Sequence, residues 1–433
     1  MNSEKQSTNL QMILREVNRV GEGQKNVPKL RFKGYEDAWE QRKLGDIADK
    51  VTVKNSNLQY IETFTNSAEV GIISQRDYFD HDIANLSNLD GYYIVQKEDF
   101  VYNPRISTSA PVGPINRNKL GRVGVMSPLY TVFRTHNVDT TYLEYFFKSQ
   151  YWHSFMKFHG DSGARSDRFS IKDAIFFKMP IPLPDIDEQQ KIGDYLNSVD
   201  HLITLHQRKY DALKTMKKTL LSKMFPKDGE DVPEIRFKGF TDAWEQRKLG
   251  EITEKFEYGL NAAATDFDGV NQYLRITDID DETREFNKTS LTSPDTNLDF
   301  ADNYILKQGD ILFARTGASV GKTYQYKESD GRVYYAGFLI RARLLSGFNV
   351  GFIFQNTLTK RYENFISITS QRSGQPGVNA QEYASFKLLL PKFEEQEQIA
   401  DLFTNLDNLI TLHQRKLDEL KNIKKTLLQQ MFV

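Results

Sequence analysis

The chain has 433 residues, which is long for a single domain and allows two or three. Its formal net charge of −1 and pI near 6.7 exclude a globally basic nucleic-acid-binding protein, so any such contact has to come from local patches. The absence of cysteine excludes disulfides and thiolate metal sites, and the sequence has no apolar run of about 18 residues that could span a membrane. We therefore expect a cytoplasmic protein with no membrane partner.

The N-terminal segment, residues 1–26, has no repeated counterpart, and its sequence assigns it no role. The residues that follow, VPKLRFKGYEDAWEQRKLGDI from Val27, return as VPEIRFKGFTDAWEQRKLGEI from Val232. Nine consecutive residues, Asp37–Gly45 and Asp242–Gly250, are identical in the two copies. The chain is therefore predicted to consist of two half-molecules with a common frame.

A middle region follows each copy of this block, at residues 48–183 and 253–390, and the two middles hardly match in sequence. Both contain apolar runs, such as Asp99-Phe100-Val101-Tyr102 and Asp310-Ile311-Leu312-Phe313, broken by Gly, Pro and Asn. These runs predict β-rich modules with some helix. The same fold with different surfaces is the economical interpretation.

The charge of each middle is uneven along the sequence. Twelve basic and seven acidic residues lie between Lys97 and Lys178, and eleven basic and five acidic between Lys307 and Lys387, whereas the preceding part of each middle is acidic. A charge excess often marks only a solvated face, but its recurrence in two diverged modules favours a surface that faces phosphates.

A long amphipathic stretch follows each middle, at residues 184–225 and 391–433, and the two align without a gap at an offset of 207 positions (391−184). Apolar residues at steps of three and four predict a narrow stripe on an α-helix, and the first helix is predicted from Glu188 to Phe225. Prolines and the acidic residues Asp185–Glu188 and Glu394–Glu395 suit the helix N-termini. A helix of this length needs a partner helix. The residues predicted to lie between the helices or against a partner are Ile203, His206, Tyr210, Leu213, Met216, Leu220, Met224, Ile410, His413, Leu417, Leu420, Ile423, Leu427 and Met431.

Two histidines, His206 and His413, occupy the same position in the two stripes. A polar residue in a coiled-coil seam usually specifies the register of the helices. Because no Cys or carboxylate with ligand spacing accompanies the pair, a structural role is favoured over a zinc site or catalysis.

No motif in the chain predicts catalysis. The segment Gly317–Thr323, GASVGKT, resembles a phosphate-binding loop, but Thr316 occupies the place of the first glycine, so the backbone cradle would not close. A glycine-rich surface loop is the simpler interpretation, and its polar side chains could touch DNA. The remaining histidines form no ligand pattern, so neither a metal site nor a catalytic residue is predicted.

The architecture of two diverged middles between duplicated blocks and duplicated helices resembles the specificity subunit of a type I restriction-modification system. The resemblance covers about residues 27–433. Its most specific marks are the tandem RFKG and AWEQRKLG sequences, the twin P-x-x-x-E-Q-x-x-I sequences from Pro184 and Pro391, and GVNAQEYASFKLLLP from Gly377.

The resemblance implies an α+β fold with a pseudo-two-fold cyclic repeat, in which two similar α/β target-recognition domains are joined by two long antiparallel α-helices that form a coiled-coil spacer. Each domain would read one half of a bipartite, asymmetric site in double-stranded DNA. The family further implies two modification subunits that methylate adenine, and restriction subunits. S-adenosylmethionine, ATP and magnesium would belong to those partners, and this chain would be non-catalytic and hold no cofactor.

The predicted parts of the chain are an N-terminal extension at 1–26, repeat block 1 at 27–47, target-recognition domain 1 at 48–183, spacer helix 1 at 184–225, a linker at 226–231, repeat block 2 at 232–252, target-recognition domain 2 at 253–390 and spacer helix 2 at 391–433. Helices of this length could separate two half-sites by about one turn of DNA, roughly 34 Å.

The predicted DNA-contacting residues lie in the later loops of each middle, which are rich in the residue types that read base edges. They are Arg105, Ser107, Ser162, Arg165, Arg168 and Lys172 in the first module, and Arg315, Thr316, Ser319, Lys322, Arg372, Gln375 and Asn379 in the second. Gln375-Pro376-Gly377 has no Pro-Gly counterpart after Ser162-Gly163, which leaves open whether the two loops have equivalent roles.

Two other functions are compatible with parts of the sequence. A helical scaffold could carry two modules that bind protein or glycan partners, in which case no basic surface is needed. A nucleotide-dependent enzyme could use the loop at Gly317. Neither alternative explains why both the blocks and the helices are duplicated.

Overall fold

The fold is described from a computed structural model, which covers residues 17–19, 26–79, 86–162 and 167–433. Most of the N-terminal extension therefore lies outside the described residues. The chain divides into two units: residues up to 205 together with 417–433 form unit 1, and residues 206–416 form unit 2. No helix within the described residues is both long and apolar enough to cross a membrane.

Unit 1 is organised around a four-stranded antiparallel sheet with strand order β4-β11-β8-β9. Its strands are β1 Val17–Arg19, β2 Leu30–Phe32, β3 Glu40–Lys43, β4 Ala48–Lys50, β5 Phe64–Ser67, β6 Gly71–Ser74, β7 Tyr93–Val95, β8 Phe100–Tyr102, β9 Ile115–Arg117, β10 Gly124–Met126, β11 Thr131–Thr135 and β12 Pro180–Leu183. Its α-helices are α1 Gln75–Phe79, α2 Thr140–Lys148, α3 His153–His159, α4 Asp173–Phe176 and the first part of α5 Ile186–Lys223, and 3₁₀ turns lie at Leu44–Asp46 and Leu86–Gly91.

Unit 2 contains a four-stranded antiparallel sheet with strand order β14-β21-β18-β19. Its strands are β13 Glu245–Lys248, β14 Thr253–Tyr258, β15 Ala263–Asp266, β16 Gln272–Leu274, β17 Thr292–Asp295, β18 Asp310–Ala314, β19 Thr323–Gln325, β20 Val333–Tyr335, β21 Leu339–Leu344 and β22 Lys387–Leu390. Its α-helices are the last part of α5, α6 Val350–Asn356, α7 Lys360–Thr369, α8 Ala380–Ala384 and the first part of α9 Phe393–Gln430, whose last part belongs to unit 1. Its 3₁₀ turns are Leu249–Glu251, Ile276–Asp278, Asp302–Tyr304, Gly317–Ser319 and Glu328–Asp330.

The two central sheets have the same internal construction. In unit 1 the buried carboxylate of Asp99, at the start of β8, receives two hydrogen bonds of 2.7 and 2.9 Å from Arg134 on β11. In unit 2 the buried carboxylate of Asp310, at the start of β18, receives the same two bonds from Arg343 on β21, at 2.8 and 2.9 Å. The prediction of one fold for two unlike sequences is confirmed.

The repeated block is joined to the start of the long helix in each unit. Strand β3 pairs antiparallel with β12, and β13 with β22, immediately before α5 and α9. The guanidinium of Arg31 donates two hydrogen bonds of 2.8 Å to the buried carboxylate of Glu188, and Arg236 donates two of 2.7 Å to Glu395. The twin P-x-x-x-E-Q sequence therefore supplies the glutamate that binds the repeat block.

This pairing corrects part of the prediction for the acidic residues. Asp185 does cap the helix, because its Oδ1 accepts a hydrogen bond of 2.8 Å from the Glu188 backbone N–H. Glu188 was expected to have the same kind of role, but its side chain is fully buried against Arg31. The following glutamine also has a defined place: Gln189 Nε2 donates to the Pro184 carbonyl, and its Oε1 accepts from the Asp139 N–H that begins α2.

The end of a long helix closes the hydrophobic core of each unit. In unit 1, Phe432 packs against Tyr142 with ring centroids 5.5 Å apart. In unit 2, Phe225 stacks on Phe352 at 5.4 Å, inside a cluster that includes Trp244. Each core therefore needs the C-terminal end of the helix that began in the other half of the sequence.

The long helices are antiparallel within each unit. In unit 1, Asp200 near the start of α5 pairs with Lys424 near the end of α9 at 2.5 Å, and in unit 2, Lys217 near the end of α5 pairs with Asp407 of α9 at 2.6 Å. Most of the predicted seam is buried or partly buried, but Met216 is 51% exposed, so of its two predicted places the one between the helices is not observed, and contact with a partner stays a prediction. The equivalent position of the other helix, Ile423, packs against the core of unit 1, so the spacing of the apolar residues does not by itself explain the exposure of Met216.

The histidine pair lies in unit 2 and is in direct contact. His206 Nδ1 and His413 Nδ1 are 2.8 Å apart, so one ring donates a hydrogen bond and the other accepts it. Burial lowers the pKa of both rings below the ordinary value of 6.5. The pKa of His206 is lowered further by the nearby His413, Lys209 and Lys416. The expected structural role is consistent with this geometry.

The stability of unit 2 should fall as the pH falls below about 6.5, because both histidine pKa values are lower in the folded than in the unfolded state and the unfolded chain then takes up more protons. His206 and His413 are the two histidines in the sequence of unit 2, so they dominate this range. The urea midpoint of unit 2, measured from about pH 7.5 to 5, checks this. A variant with His206→Asn and His413→Asn should lose most of the slope; an unchanged slope would contradict the assignment.

Glu188→Ala should destabilise unit 1 by about 3–5 kcal/mol, because Arg31 would remain buried without its carboxylate. Glu395→Ala should cost unit 2 less, since Glu188 also accepts from Trp39 Nε1 at 3.2 Å whereas Trp244 Nε1 has no partner among the described residues. Hydrogen exchange of each sheet measures the loss. The matched control is the exposed Asp187→Ala, expected to change stability by about 0.5 kcal/mol or less. If Asp187→Ala and Glu188→Ala lowered the stability of unit 1 equally, the proposed role of the Arg31–Glu188 ion pair would be refuted.

Candidate nucleic-acid interface

The candidate interface of unit 1 begins where the central strand β8 ends. The chain leaves this strand into the loop at 103–114, which is joined by backbone hydrogen bonds to the segment at 167–170. The Phe169 N–H donates to the Pro104 carbonyl at 2.7 Å, and the Ile106 N–H donates to the Asp167 carbonyl at 3.0 Å. This pairing brings two of the predicted residues, Arg105 and Arg168, opposite one another.

Unit 2 has the same backbone arrangement after its central strand β18. The Val378 N–H donates to the Arg315 carbonyl at 2.9 Å, and the Gly317 N–H donates to the Pro376 carbonyl at 3.0 Å, so that Thr316 lies opposite Gly377. The loops left open by the sequence are therefore equivalent in backbone position. Their side chains differ, because Arg105 and Arg168 of unit 1 correspond to Thr316 and Gly377.

The predicted residues of unit 1 are accessible. Arg105, Ser162 and Lys172 are exposed, and Arg168 is partly exposed. No carboxylate in the described part of the chain forms an ion pair with any of these three cations, so their charge is available to a phosphate. Ser107 also closes a local turn, since its Oγ accepts from the Ala110 N–H at 3.2 Å. Arg165 lies outside the described residues.

In unit 2, Arg315 lies on an aromatic platform. Its guanidinium is 5.0 Å from the ring centroid of Tyr258, and the backbone N–H of Arg315 donates to the carbonyl of Phe338, whose side chain is exposed. Stacking holds the guanidinium in one orientation while its N–H groups remain free for a base edge or phosphate. Tyr258 and Phe338 were missed by the sequence prediction. The sequence signal for them was weak, because Tyr258 is simply an aromatic residue at the end of β14 and Phe338 one between β20 and β21.

Several predicted residues of unit 2 also hold their own loop together. Asn379 caps α8 by accepting a hydrogen bond of 2.9 Å from the Glu382 N–H, and Arg372 pairs with Glu382 at 2.5 Å. Ser319 accepts through its carbonyl from the Lys322 N–H at 2.9 Å. Gln375 is exposed, and its amide lies so close to Gly317, which has φ of +71°, that a side chain there would collide with it.

Lys322 is not available to DNA, and its predicted role is wrong. It is only 9% exposed, its ammonium pairs with Asp281 at 2.5 Å, and it donates to the Ile279 carbonyl at 3.1 Å. The same geometry argues against a nucleotide-binding loop, since the lysine that would reach a phosphate points into the protein. The sequence could not indicate this, because Asp281 and Ile279 lie in a distant loop.

Part of the uneven charge of the middles is neutralised within the same unit. Basic residues of the later part pair with acidic residues of the earlier part inside the same unit. Such pairs are Arg122 with Glu62, Arg341 with Glu257, Lys322 with Asp281 and Lys327 with Glu285. These four cations are therefore occupied within their own unit, which weakens the interpretation of the whole basic part as a phosphate-facing surface.

Two units of one topology, each with a cationic, polar loop after its central strand, define a two-module recognition protein. The model of the type I restriction modification DNA specificity domain matches residues 36–215 and again residues 241–422. The chain therefore belongs to the family of type I restriction-modification DNA specificity subunits. Members of this family are non-catalytic recognition subunits.

Two relatives illustrate the match. The type I restriction enzyme MjaVIII specificity subunit of Methanocaldococcus jannaschii is 24% identical over 323 residues, which are 71% of this chain and 73% of the relative. The crystal structure of the type I restriction-modification system S subunit from M. genitalium has a TM-score of 0.58 at 15% identity, covering 94% of this chain and 99% of that one. The latter likeness supports the fold.

Arg315→Ala should weaken specific DNA binding by about 1–3 kcal/mol, which is about five- to 150-fold, with little change in stability, because the guanidinium is a surface group on Tyr258. Lys322→Met should do the reverse: it should reduce the stability of unit 2 by about 1–3 kcal/mol through the unpaired Ile279 carbonyl and leave the affinity intact. DNA titration and urea unfolding of the assembled complexes measure both quantities. A loss of affinity in Lys322→Met without a loss of stability would contradict this assignment.

Proposed function

We propose that this chain recognises a bipartite, asymmetric DNA site in the cytoplasm and directs a methyltransferase and a restriction enzyme to it. Each unit reads one half-site through the loop that follows its central strand. The observation that carries the proposal is that these two loops have equivalent backbone pairing and different side chains. A shared frame with diverged contact residues is what two different half-sites require.

The asymmetry follows from the chemistry of the loops. At equivalent positions unit 1 has Arg105 where unit 2 has Thr316, and Arg168 where unit 2 has Gly377. Arginine reads guanine by two hydrogen bonds or binds a phosphate, whereas threonine makes a single hydrogen bond or a methyl contact, and glycine makes neither. The two units should therefore prefer different base sequences, and the whole target should not be a palindrome.

The partners are proposed from the family and from the repeat. The duplicated blocks and helices present the same frame twice, so like partners should bind to each half, which favours two modification subunits. These would carry S-adenosylmethionine and methylate adenine, and restriction subunits would use ATP and magnesium. This chain supplies the DNA sequence specificity and the surfaces on which the partner subunits assemble.

Co-expression of this chain with its cognate modification subunit should introduce adenine methylation at one bipartite, asymmetric motif. The measurement is a genome-wide methylation map in cells without other methyltransferases, with the modification subunit alone as the control. Exchange of residues 48–180 for those of another family member should change one half-site and leave the other unchanged, because the second loop is untouched. The proposal fails if a complex that assembles produces no new methylation, or if the exchange alters both half-sites.

A further inference from the structure

Both units contain the same tight turn immediately before the second strand of the central sheet. The turn between β10 and β11 is closed by a hydrogen bond of 3.0 Å from the Tyr130 N–H to the Ser127 carbonyl. The turn between β20 and β21 is closed by one of 2.8 Å from the Leu339 N–H to the Ala336 carbonyl. Each bond joins the first and fourth residues of a four-residue turn, so the two turns are equivalent in backbone structure.

The third residue of each turn is a large apolar residue that is exposed. Leu129 of unit 1 is 59% exposed and Phe338 of unit 2 is 56% exposed. Turn positions are usually filled by Gly, Pro, Asn, Asp or Ser. A single exposed apolar residue is ordinary on a protein surface, but its recurrence at one position in two modules of unlike sequence favours a common role.

The turns lie beside the loops that are assigned to DNA. In unit 1, Thr131 at the end of the turn pairs with Tyr102, the last residue of β8. In unit 2, Leu339 pairs with Ala314, the last residue of β18. The loop assigned to DNA begins at the next residue in each unit, so turn and loop are adjacent.

In unit 2 the turn and the loop are also joined directly. The backbone N–H of Arg315 donates to the Phe338 carbonyl at 3.0 Å, which places the two residues opposite one another. Opposite residues of antiparallel strands point to the same face, so Phe338 shares a face with the guanidinium that lies over Tyr258. In unit 1 the register of β11 with β8, continued by two residues, places Leu129 opposite Pro104, which has no N–H to donate.

We propose that Leu129 and Phe338 are specificity-determining residues, each of which packs against the methyl group of a thymine in its own half-site. This inference rests on the proposed function, since it adds an apolar contact to each DNA loop. The two side chains have no charge and no hydrogen-bonding group, so they neither bind a phosphate nor read a polar base edge. The thymine methyl is the apolar group that a base pair presents in the major groove.

Replacement of thymine by uracil in the target DNA tests the proposal, because it removes this methyl group alone. A half-site that is methylated on adenine contains an A·T pair, so the test can be made in both half-sites. DNA titration of the complex with the modification subunit should show that uracil at one position of each half-site weakens wild-type binding about three- to tenfold.

The variants should lose this sensitivity in one half-site each. Phe338→Ala should bind thymine and uracil equally in one half-site, and Leu129→Ala should do so in the other. Both variants should keep the salt dependence of wild-type binding, because no phosphate contact is removed. Urea unfolding of each complex verifies that the variant is folded.

Ile61→Ala and Val270→Ala are the matched controls. Ile61 is 72% exposed and Val270 is 62% exposed. Each precedes a residue that pairs in parallel with β10 or β20, and therefore lies at the end of that strand remote from the turn. Both controls should keep the full sensitivity to uracil.

The possible outcomes separate the methyl contact from the proposed function. If the assembled wild-type complex binds no DNA sequence specifically, the proposed function fails. If it binds its target but no uracil substitution weakens binding, or if Leu129→Ala and Phe338→Ala keep the sensitivity, the methyl contact is overturned while the function stands. An equal loss of sensitivity in the controls would overturn it as well. Loss of the modification subunit from Leu129→Ala or Phe338→Ala would identify a protein as the occupant of the turns and overturn the proposal.

Discussion

A buried ion pair between an arginine of the repeat block and a glutamate of the long helix is the constraint on which the architecture depends. Arg31 and Glu188, and again Arg236 and Glu395, form two hydrogen bonds each in sites where the glutamates are fully buried. Because an unpaired buried charge costs several kcal/mol, the block and the first turn of the helix have to remain together. The pair thereby fixes the first turn of each long helix against the repeat block of its own unit. The adjacent glutamine extends the restraint to the start of α2 in unit 1 and of α6 in unit 2.

This frame separates the residues that build the protein from those that distinguish one half from the other. The ion pair, the Asp–Arg pairs of Asp99 with Arg134 and Asp310 with Arg343, and the antiparallel helices recur in both units. The loops that follow the central strands share only their backbone pairing. Side chains can therefore change in the loops without loss of the fold.

Much of the frame could be predicted from the sequence because the repeat block and the long helix each occur twice in the chain. The first long helix was predicted from Glu188 to Phe225 and is observed at Ile186–Lys223, and His206 and His413 were predicted in one seam and are in contact. The failures concern contacts between residues far apart in the sequence. The burial of Lys322 depends on Asp281, and the orientation of Arg315 depends on Tyr258, and neither partner has a local signal. Met216 follows the apolar spacing but is exposed, whereas Ile423 at the same position of the repeat packs against the core of unit 1, so the spacing alone does not predict burial.

The central claim is that each unit contacts its own half of the DNA site through the loop after its central strand. The most direct measurement is photocrosslinking of the assembled complex to target DNA that carries a photoreactive base in one half-site or in the other, followed by peptide mapping. We expect one half-site to label the segments at 103–114 and 167–170, and the other to label those at 315–322 and 371–379. Labelling of a different face, or of both loops from a single half-site, would contradict the claim.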